Sequence, residues 1–125
     1  MDKRQETGRR GEELACRYLT ELGHTVLARN WRSGHLEIDL VSLSGDGIHF
    51  VEVKTRRPPL QAEPQDNVTG KKQNRIYKAA NAFLNKVDIP YVRDAECHFD
   101  VVAVTLEETG PRVVYIPDAY YPIFV

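Results

Sequence analysis

Hydrophobic residues recur along the chain with two different periods, which separate predicted helices from predicted strands. Residues 6–22 show the helical period of about 100° per residue, and Gly23 follows as a typical terminating residue. The apolar arc of this helix contains Leu14, Ala15, Tyr18, Leu19 and Leu22. Gly8 and Gly11 fall within the same arc, so we expect another element to approach this helix closely.

A second helix is predicted for residues 67–87. Its apolar arc contains Val68, Ile76, Ala79, Ala80, Phe83, Leu84 and Val87, and a basic stripe outside the arc contains Lys71, Arg75 and Lys78. Lys72 falls inside the arc and Gln73 lies near its edge, which is unusual for positions that face a core. We therefore expect the beginning of this helix to face something polar.

Alternation of apolar and polar residues predicts the strands. Residues 36–43 and 48–55 form a predicted hairpin around the turn sequence SGDG. A shorter strand precedes the hairpin at residues 25–29, and a turn is predicted at residues 30–34. Residues 57–66 contain three prolines and are predicted to form a loop.

The last third of the chain adds two more predicted strands. Residues 98–105 form a nearly continuous apolar run, which is typical of a strand covered on both faces. A final strand is predicted for residues 112–116, and the tail AYYPIFV is expected to pack back onto the body. The order helix, three strands, helix and two strands predicts one domain over residues 1–125, a mixed central β-sheet flanked by helices in the α/β or α+β class.

The composition is that of an ordinary globular domain, since 42% of the residues are hydrophobic and 28% are charged. No apolar run approaches the roughly 20 residues of a membrane span, and the first residues lack the apolar stretch of a signal peptide, so we expect a cytoplasmic protein. Cys16 and Cys97 indicate neither a disulfide framework nor a thiolate metal site. The histidines lack a zinc-type spacing and are interpreted as ordinary surface or core residues: His24, His35, His49 and His98.

Charge is distributed unevenly along the chain, although the net charge is only −1. Residues 54–78 hold seven Lys and Arg against two acids, whereas residues 94–118 hold six acids against one Arg. A basic segment beside a lysine-bearing strand fits a surface that binds the phosphates of a nucleic acid. A solvated helix face would show the same charge, so both interpretations stay open.

The predicted hairpin carries four charged residues on one face. Because side chains alternate along a strand, Glu37 and Asp39 share a face, and so do Glu52 and Lys54. The two faces coincide when paired residue numbers have an odd sum, and a slip by one residue would disrupt the apolar set as well. A turn at Gly45-Asp46 places Asp39 opposite Glu52, and a turn one residue later places Asp39 opposite Lys54.

Two directly opposed carboxylates, with Cβ atoms about 4.5–5.5 Å apart, repel each other unless a cation lies close to both. Mg²⁺ takes oxygen ligands and is commonly held by one or two carboxylates plus phosphate oxygens, so Asp39 and Glu52 form a candidate metal site. Lys54 lies one pleat along, where it can contact the same phosphate or an attacking water. Glu12, at the edge of the first helix's apolar arc, can face the same site. The alternative is an exposed strand face decorated with opposite charges.

Glu12, Asp39 and the sequence Glu52-Val53-Lys54 resemble the PD-(D/E)xK nuclease signature, in an arrangement close to that of archaeal Holliday-junction resolvases. Over nearly its whole length the chain resembles the YraN-like family of bacterial proteins. The segments that carry this resemblance are GRRGEELACRYL, ARNWRSGHLEIDLV, FVEVKTRR, GKKQNRIYKAANAFL and FDVVAV. The resemblance implies an α/β, restriction-endonuclease-like fold with a Mg²⁺ or Mn²⁺ site.

The resemblance also implies roles for individual residues. Asp39 and Glu52 would be metal ligands, and Lys54 would position or activate the attacking water. Glu12 would add an outer or second-metal contact, and Glu37 would lie beside the site. The implied activity is metal-dependent endonucleolytic hydrolysis of structured DNA, including branched DNA. A resolvase of this kind cuts two strands as a two-fold dimer, so a homodimer is expected.

A nucleic-acid-binding module without cleavage, built on the same fold, is the alternative function. The residues expected to bind nucleic acid are Arg56, Arg57, Lys71, Lys72, Gln73, Arg75 and Lys78. Gln73 either orients a water or phosphate or simply caps the second helix. Asp100 lies inside an apolar run and needs a buried partner, so we expect it to have a structural role.

Overall fold

A computed structural model describes residues 3–58, 69–89, 92 and 94–121 of the 125-residue chain. The elements within these residues are α1 (Lys3–Glu21), β1 (Thr25–Ser33), β2 (Leu36–Ser44), β3 (Gly47–Arg56), α2 (Gly70–Lys86), β4 (Cys97–Glu107) and β5 (Gly110–Ile116). Their order confirms the order predicted from the sequence. Neither α1 nor α2 is long and apolar enough to cross a lipid bilayer.

The strands form one mixed sheet in the order β1-β2-β3-β4-β5. Neighbouring strands are antiparallel except β3 and β4, which pair in parallel. A parallel pair requires a crossover connection, and α2 lies in that connection. The sheet with its flanking helices confirms the α/β class and is compatible with a restriction-endonuclease-like core.

The two helices cover opposite faces of the sheet. Successive residues of β3 demonstrate this, because Phe50 packs in the cluster that includes α2 and Val51 in the cluster that includes α1. The α2-side cluster comprises Ile38, Val41, Ile48, Phe50, Ala79, Ala80, Phe83 and Val92. The α1-side cluster comprises Ala15, Leu19, Leu40, Val51, Val102, Val104 and Leu106. β4 is buried along most of its length, as its continuous apolar run predicts.

Helix α1 approaches the sheet closely at one of its two predicted glycines. A Cβ atom at Gly11 would lie 1.7 Å from Thr55 Oγ1, so only glycine fits against β3 at this position. The prediction is wrong for Gly8, where no described atom outside the helix backbone lies within 4 Å of a built Cβ. The prediction that Leu22 belongs to the buried arc of α1 is wrong, since this residue follows the end of the helix at Glu21 and is 52% exposed.

Strand β1 is longer than predicted. The turn predicted at residues 30–34 is confirmed only at Gly34, which forms a two-residue turn with His35, because pairing with β2 continues as far as Ser33 and Leu36. Strand β1 contains two irregularities: its register against β2 shifts between Val26 and Ala28, and Asn30 has a φ of 48°. Asparagine tolerates this left-handed conformation better than most residues, so the strand passes through it without ending.

The remaining boundaries fall close to their predicted positions. Helix α2 begins at Gly70 behind the N-cap Thr69, while residues 67 and 68, which the prediction included, lie outside the described residues. The predicted loop at 57–66 is described only as far as residue 58. In the tail, Tyr120 packs against Ile76 and Val101, as predicted, whereas Tyr121 is 76% exposed. Residues 122–125 lie outside the described residues.

Candidate functional site

The register of the β2–β3 hairpin decides where its acids lie. Leu40 pairs with Val51 and Ser44 with Gly47, which is one of the two predicted odd registers and leaves Gly45 and Asp46 as the turn. The backbone pairing between β2 and β3 ends at the Leu40–Val51 pair. Beyond it, the Val53 amide donates to Asp39 Oδ2 over 2.9 Å, so the Asp39 side chain takes the place of a ladder carbonyl. This bond fixes Asp39 against β3.

Asp39 and Glu52 open into one cavity. The cavity has a volume of about 370 Å³, and its lining residues are His35, Leu36, Glu37, Asp39, Glu52, Lys72, Arg75 and Ile76. It lies where the charged end of the hairpin meets the first turns of α2, and we call it the acid cavity. The side chains of Asp39 and Glu52 therefore share one side of the sheet, as their strand positions predict. The predicted polar environment at the start of α2 is this cavity.

The predicted separation of charged and apolar faces holds for only part of the hairpin. Leu40, Val51 and Val53 pack on the α1 side, opposite the acids, as predicted, whereas Ile38, predicted to share their face, packs on the α2 side. The α2 side carries apolar residues as well, because Phe50 lies one pleat from Glu52 and packs beneath α2. A sheet covered on both faces needs apolar residues on both faces, which the prediction of a half-buried hairpin did not include.

Two lysines contact Glu52. Lys72 Nζ lies 2.6 Å from Glu52 Oε1, and Lys54 Nζ lies 3.2 Å from the same oxygen. The exposed fractions of the Glu52 and Lys54 side chains are only 14% and 17%, so solvent screens this contact weakly. Burial lowers the pKa of Lys54, and the neighbouring Lys72 lowers it further. Burial opposes the charge of Lys72 too, but its hydrogen bond to Glu52 raises its pKa overall.

Asp39 has no comparable lysine contact among the described ion pairs. Burial raises its pKa from the usual 3.8 to about 7, although the hydrogen bond from Val53 acts in the opposite direction. The negative charges of Glu52, Glu12 and Glu37 raise this pKa further. A nearby cation would stabilise the ionised form of this buried carboxyl, which is surrounded by other acids. The carboxylates of the cavity therefore fit a divalent ion that takes oxygen ligands.

Glu12 lies beside the acid cavity but does not line it. Its Oε1 accepts a hydrogen bond of 2.9 Å from Asn30 Nδ2, and it borders a different cavity of about 720 Å³ together with Glu13 and Arg29. The structure thus brings Asp39 and Glu52 together and places Lys54 against Glu52, although Lys54, like Glu12, is not among the residues that line the cavity. Glu37 does line the acid cavity and has a weak ion pair of 3.7 Å with Arg32.

The predicted nucleic-acid-binding residues extend from the acid cavity along α2. Lys72 and Arg75 line the cavity itself, and Lys71 and Lys78 are exposed on the same helix. Arg56 ends β3, and Arg57 follows it and donates to Thr7 Oγ1 over 3.0 Å. The N-cap of α2 is Thr69, whose hydroxyl accepts from the Lys72 amide, and Gln73 lies half-buried one residue later.

Comparison with known proteins places the chain in a family. The model described as "Uncharacterised protein family UPF0102" matches residues 11–104. This chain belongs to the UPF0102 family. A UPF0102 protein of Nitratidesulfovibrio vulgaris is 41% identical over 120 residues, covering 96% of this chain and 87% of that protein. One of Bacteroides thetaiotaomicron is 37% identical over 122 residues, covering 98% of both chains. The match confirms the YraN-like resemblance.

This UPF0102 chain also contains a cluster that sequence reasoning missed. Asp100 is fully buried and accepts from His49 Nδ1 at 2.6 Å, Tyr115 OH at 2.5 Å and the Asp118 amide at 2.9 Å. The predicted structural role for Asp100 agrees with these partners. The histidines lack a metal-type spacing because they come from separate strands, and His49 is paired with His98 across the parallel ladder.

A signal for this cluster was nonetheless present in the sequence. The dipeptide His-Phe occurs twice, at residues 49–50 and 98–99, at the start of two runs predicted to be strands. Parallel pairing of these runs in register would have placed the two histidines side by side. The UPF0102 fold contains this pairing, and it continues from Ile48 with Cys97 to Arg56 with Thr105.

Proposed function

We propose that this UPF0102 protein is a metal-dependent endonuclease that hydrolyses phosphodiester bonds in structured DNA. The observation that supports this most strongly is the acid cavity, in which Asp39 and Glu52 come from adjacent strands and face a common space. Carboxylates from neighbouring strands, with an amine close by, are the groups that metal-assisted phosphodiester hydrolysis requires. Fold class alone would not support this activity, because one fold hosts many functions.

In this proposal Asp39 and Glu52 hold Mg²⁺ or Mn²⁺. Such an ion, when bound, polarises a phosphoryl oxygen and supplies hydroxide near neutral pH. Asp39 is fixed by the Val53 amide, so it is oriented toward the cavity before any ligand arrives. Glu12 contacts Asn30 instead of lining the cavity, and we therefore assign it an electrostatic role on Asp39.

Lys54 and Lys72 complete the site. Lys54 is the better placed to orient the attacking water, because it lies on the same strand face as Glu52 and its pKa is lowered by burial. Lys72 lies in the first turn of α2, where backbone amides and the helix dipole also favour an anion. When a phosphate binds, Lys72 exchanges its contact with Glu52 for the phosphate oxygens.

The DNA backbone would then follow the basic surface of α2. Lys71, Arg75 and Lys78 extend this surface away from the acid cavity, with Arg56 at the end of β3. Symmetrical cutting of a branched substrate needs two active sites, so the proposal includes a homodimer. Because bacterial chromosomal DNA lies in the cytoplasm, the proposal places the protein there.

The test is a cleavage assay on duplex, single-stranded and four-way-junction DNA with Mg²⁺, Mn²⁺ or EDTA. Glu52→Gln and Lys54→Met should each reduce the cleavage rate at least a hundredfold, because they remove a metal ligand and the amine beside the water. Glu13→Gln is a matched control, since Glu13 is an acid on α1 that pairs with Arg29 outside the acid cavity. Equal cleavage by all the variants would show that the activity comes from a contaminant or from another site.

One observation favours a second function, binding without cleavage. The two lysines neutralise Glu52 without a metal, so the acid cavity is already partly compensated. A non-catalytic nucleic-acid-binding module would bind DNA equally well in Mg²⁺ and in EDTA, and no substrate would be cut. Its affinity would fall steeply with salt and would not decrease in Glu52→Gln.

A further inference from the structure

A second group of metal-ligating side chains lies at the β2–β3 turn, on the other face of the sheet from Glu52. His49 alternates with Phe50, which packs under α2, so His49 faces the α1 side. His49 Nε2 lies 2.7 Å from Asp46 Oδ1, and His98 Nε2 lies 3.8 Å from Asp46 Oδ2. The three potential ligand atoms all lie within 4.8 Å of one another. We call Asp46, His49 and His98, together with Asp100 and Asp118, the histidine cluster.

The acids behind the two histidines orient both rings toward Asp46. Asp100 Oδ2 lies 2.6 Å from His49 Nδ1, and Asp118 Oδ1 lies 2.8 Å from His98 Nδ1. Each Nδ1 therefore donates to a carboxylate, and each Nε2 points toward Asp46. Histidines that bind metal ions in proteins are commonly held in this way, with one ring nitrogen on a carboxylate and the other on the metal.

The cluster is held rigidly before any ligand arrives. The side chains of His49 and His98 are 3% and 10% exposed. Their rings stack with centroids 4.5 Å apart and an interplanar angle of 14°. Asp100 is fixed in turn by the Tyr115 hydroxyl and the Asp118 amide. Of the three potential ligands, Asp46 is the exposed one, at 60% of its side chain, so a ligand reaches the cluster from solvent through this residue.

We propose that Asp46, His49 and His98 bind a divalent transition-metal ion of the Zn²⁺ type. Zn–N and Zn–O bonds of about 2.0–2.2 Å place neighbouring ligand atoms of a tetrahedral site roughly 3.3 Å apart. The distances from the Asp46 carboxylate oxygens to the two Nε2 atoms, 2.7 Å for His49 and 3.8 Å for His98, lie on either side of that value. Two imidazoles and one carboxylate suit Zn²⁺ better than Mg²⁺, which takes oxygen ligands. The exposed side of Asp46 leaves the fourth position to water.

The ion would join parts of the chain that are distant in sequence. Asp46 belongs to the hairpin turn, His49 to β3 and His98 to β4, and Asp118 follows β5. The His98 ring already contacts the turn, because its Nε2 lies 3.0 Å from the Asp46 carbonyl oxygen. A metal ion would replace this contact with direct bonds to both histidines. Its effect is to stabilise the folded chain, since the unfolded chain does not present these three ligands together.

A nucleophilic triad is the other chemistry that this geometry suggests. Ser44 Oγ lies 3.1 Å from His49 Nε2, and Asp100 lies on the opposite nitrogen of the ring. The position of Asp46 argues against it, because Asp46 Oδ1 accepts from Ser44 and also lies 2.7 Å from the same Nε2. The single hydroxyl proton of Ser44 is thus donated to Asp46, whereas a triad requires it on the histidine. The metal site is therefore the better assignment.

The test is titration of the full-length Asp39→Asn/Glu52→Gln protein with Zn²⁺ alone, since these substitutions remove the ligands of the acid cavity. We expect uptake of one equivalent by calorimetry, with a rise in melting temperature. Nitrogen NMR should show shifts of the Nε2 signals of His49 and His98 and no shift for His35. Mg²⁺ at the same concentration should give none of these changes. Because the acid cavity is disabled, the outcome does not depend on the proposed nuclease activity.

Single substitutions make the test specific. Asp46→Asn should weaken Zn²⁺ binding at least tenfold, and Asp118→Asn about tenfold, because an amide oxygen is a weaker acceptor for His98 Nδ1 than a carboxylate. Asp118 has a φ of 48°, which asparagine tolerates, so this change leaves the backbone unstrained. Glu108→Gln, an exposed acid on the β4–β5 turn, is the control and should have no effect. No Zn²⁺ uptake, or equal affinity in all three variants, would show that the cluster is only a hydrogen-bonded network.

Discussion

At the scale of single residues, the two principal acids of the cavity have different electrostatic environments. Glu52 contacts two lysines, whereas Asp39 contacts a backbone amide and lies among other acids. Burial, together with the neighbouring acids, raises the pKa of Asp39 from its ordinary value of 3.8 to about 7. A carboxyl that is difficult to ionise destabilises the native state at neutral pH, and cation binding offsets this cost.

The first prediction concerns stability against pH in the absence of divalent ions. The folded state retains the Asp39 proton up to about pH 7, whereas the unfolded chain loses it near 3.8. This contribution to the free energy of unfolding is therefore greatest at low pH and decreases between about pH 4 and pH 7. An asparagine amide in place of this carboxyl cannot titrate but can still accept from Val53, so Asp39→Asn should be more stable above pH 7, on the order of 2 kcal/mol.

Urea unfolding of both proteins in EDTA, at several pH values, measures this effect. The difference between the two curves isolates Asp39, because Glu12, Glu37, Glu52 and Lys72 remain in both proteins. Parallel curves between pH 4 and 7 would show that Asp39 ionises normally in the folded state.

At the scale of elements, the close approach of α1 to β3 determines how the helix sits on the sheet. Gly11 allows the contact, because a Cβ at this position would lie 2.7 Å from the Cβ of Thr55. Thr55 is β-branched and has little freedom to move aside. The position of α1 in turn brings Glu12 next to Asn30 and within electrostatic reach of Asp39.

The second prediction compares two glycines of the same helix. Gly11→Ala should lower the free energy of unfolding by about 1–3 kcal/mol, since the overlap with Thr55 exceeds the gain in helix propensity. Gly8→Ala meets no atom within 4 Å and should raise stability by about 0.5–1 kcal/mol. Chemical denaturation measures both changes. A stabilising effect at Gly11 would contradict the close approach.

At the scale of the whole molecule, the sheet separates two kinds of chemistry. The acid cavity lies on the α2 side beside the basic residues of that helix, and the histidine cluster lies on the opposite side near the hairpin turn. A polyanion bound at the cavity would meet positive charge along α2. The net charge of −1 conceals this arrangement, because the acids of residues 94–118 offset the basic segment.

The third prediction concerns the salt dependence of DNA binding without divalent ions. Lys71→Gln and Lys78→Gln should each weaken binding similarly for all sequences and reduce the slope of log affinity against log salt by about one. Lys86→Gln is the control, because Lys86 lies in the last turn of α2 and contacts Ser33. Fluorescence anisotropy over a series of salt concentrations gives the slopes. Equal slopes in the unsubstituted protein and in all three variants would show that DNA does not bind along this face of α2.

The sequence alone determined the local features of this protein. Element order, the hairpin around SGDG, and the shared face of Asp39 and Glu52 all follow from periodicity and turn chemistry, whereas the choice of Gly45-Asp46 over a turn one residue later came from the structure. These properties depend on residues that are close in the chain, so a pattern of neighbouring residues predicts them. The family resemblance had the same basis, since its motifs lie on these elements.

Only the tertiary structure decided which distant groups meet. The docking of α2 brings Lys72 onto Glu52, the packing of α1 turns Glu12 toward Asn30, and the parallel β3–β4 pairing stacks His49 on His98. Each of these contacts joins segments whose relative position depends on the packing of the whole core. Sequence periodicity specifies which face of an element is buried, but it does not specify the neighbour against which that face packs.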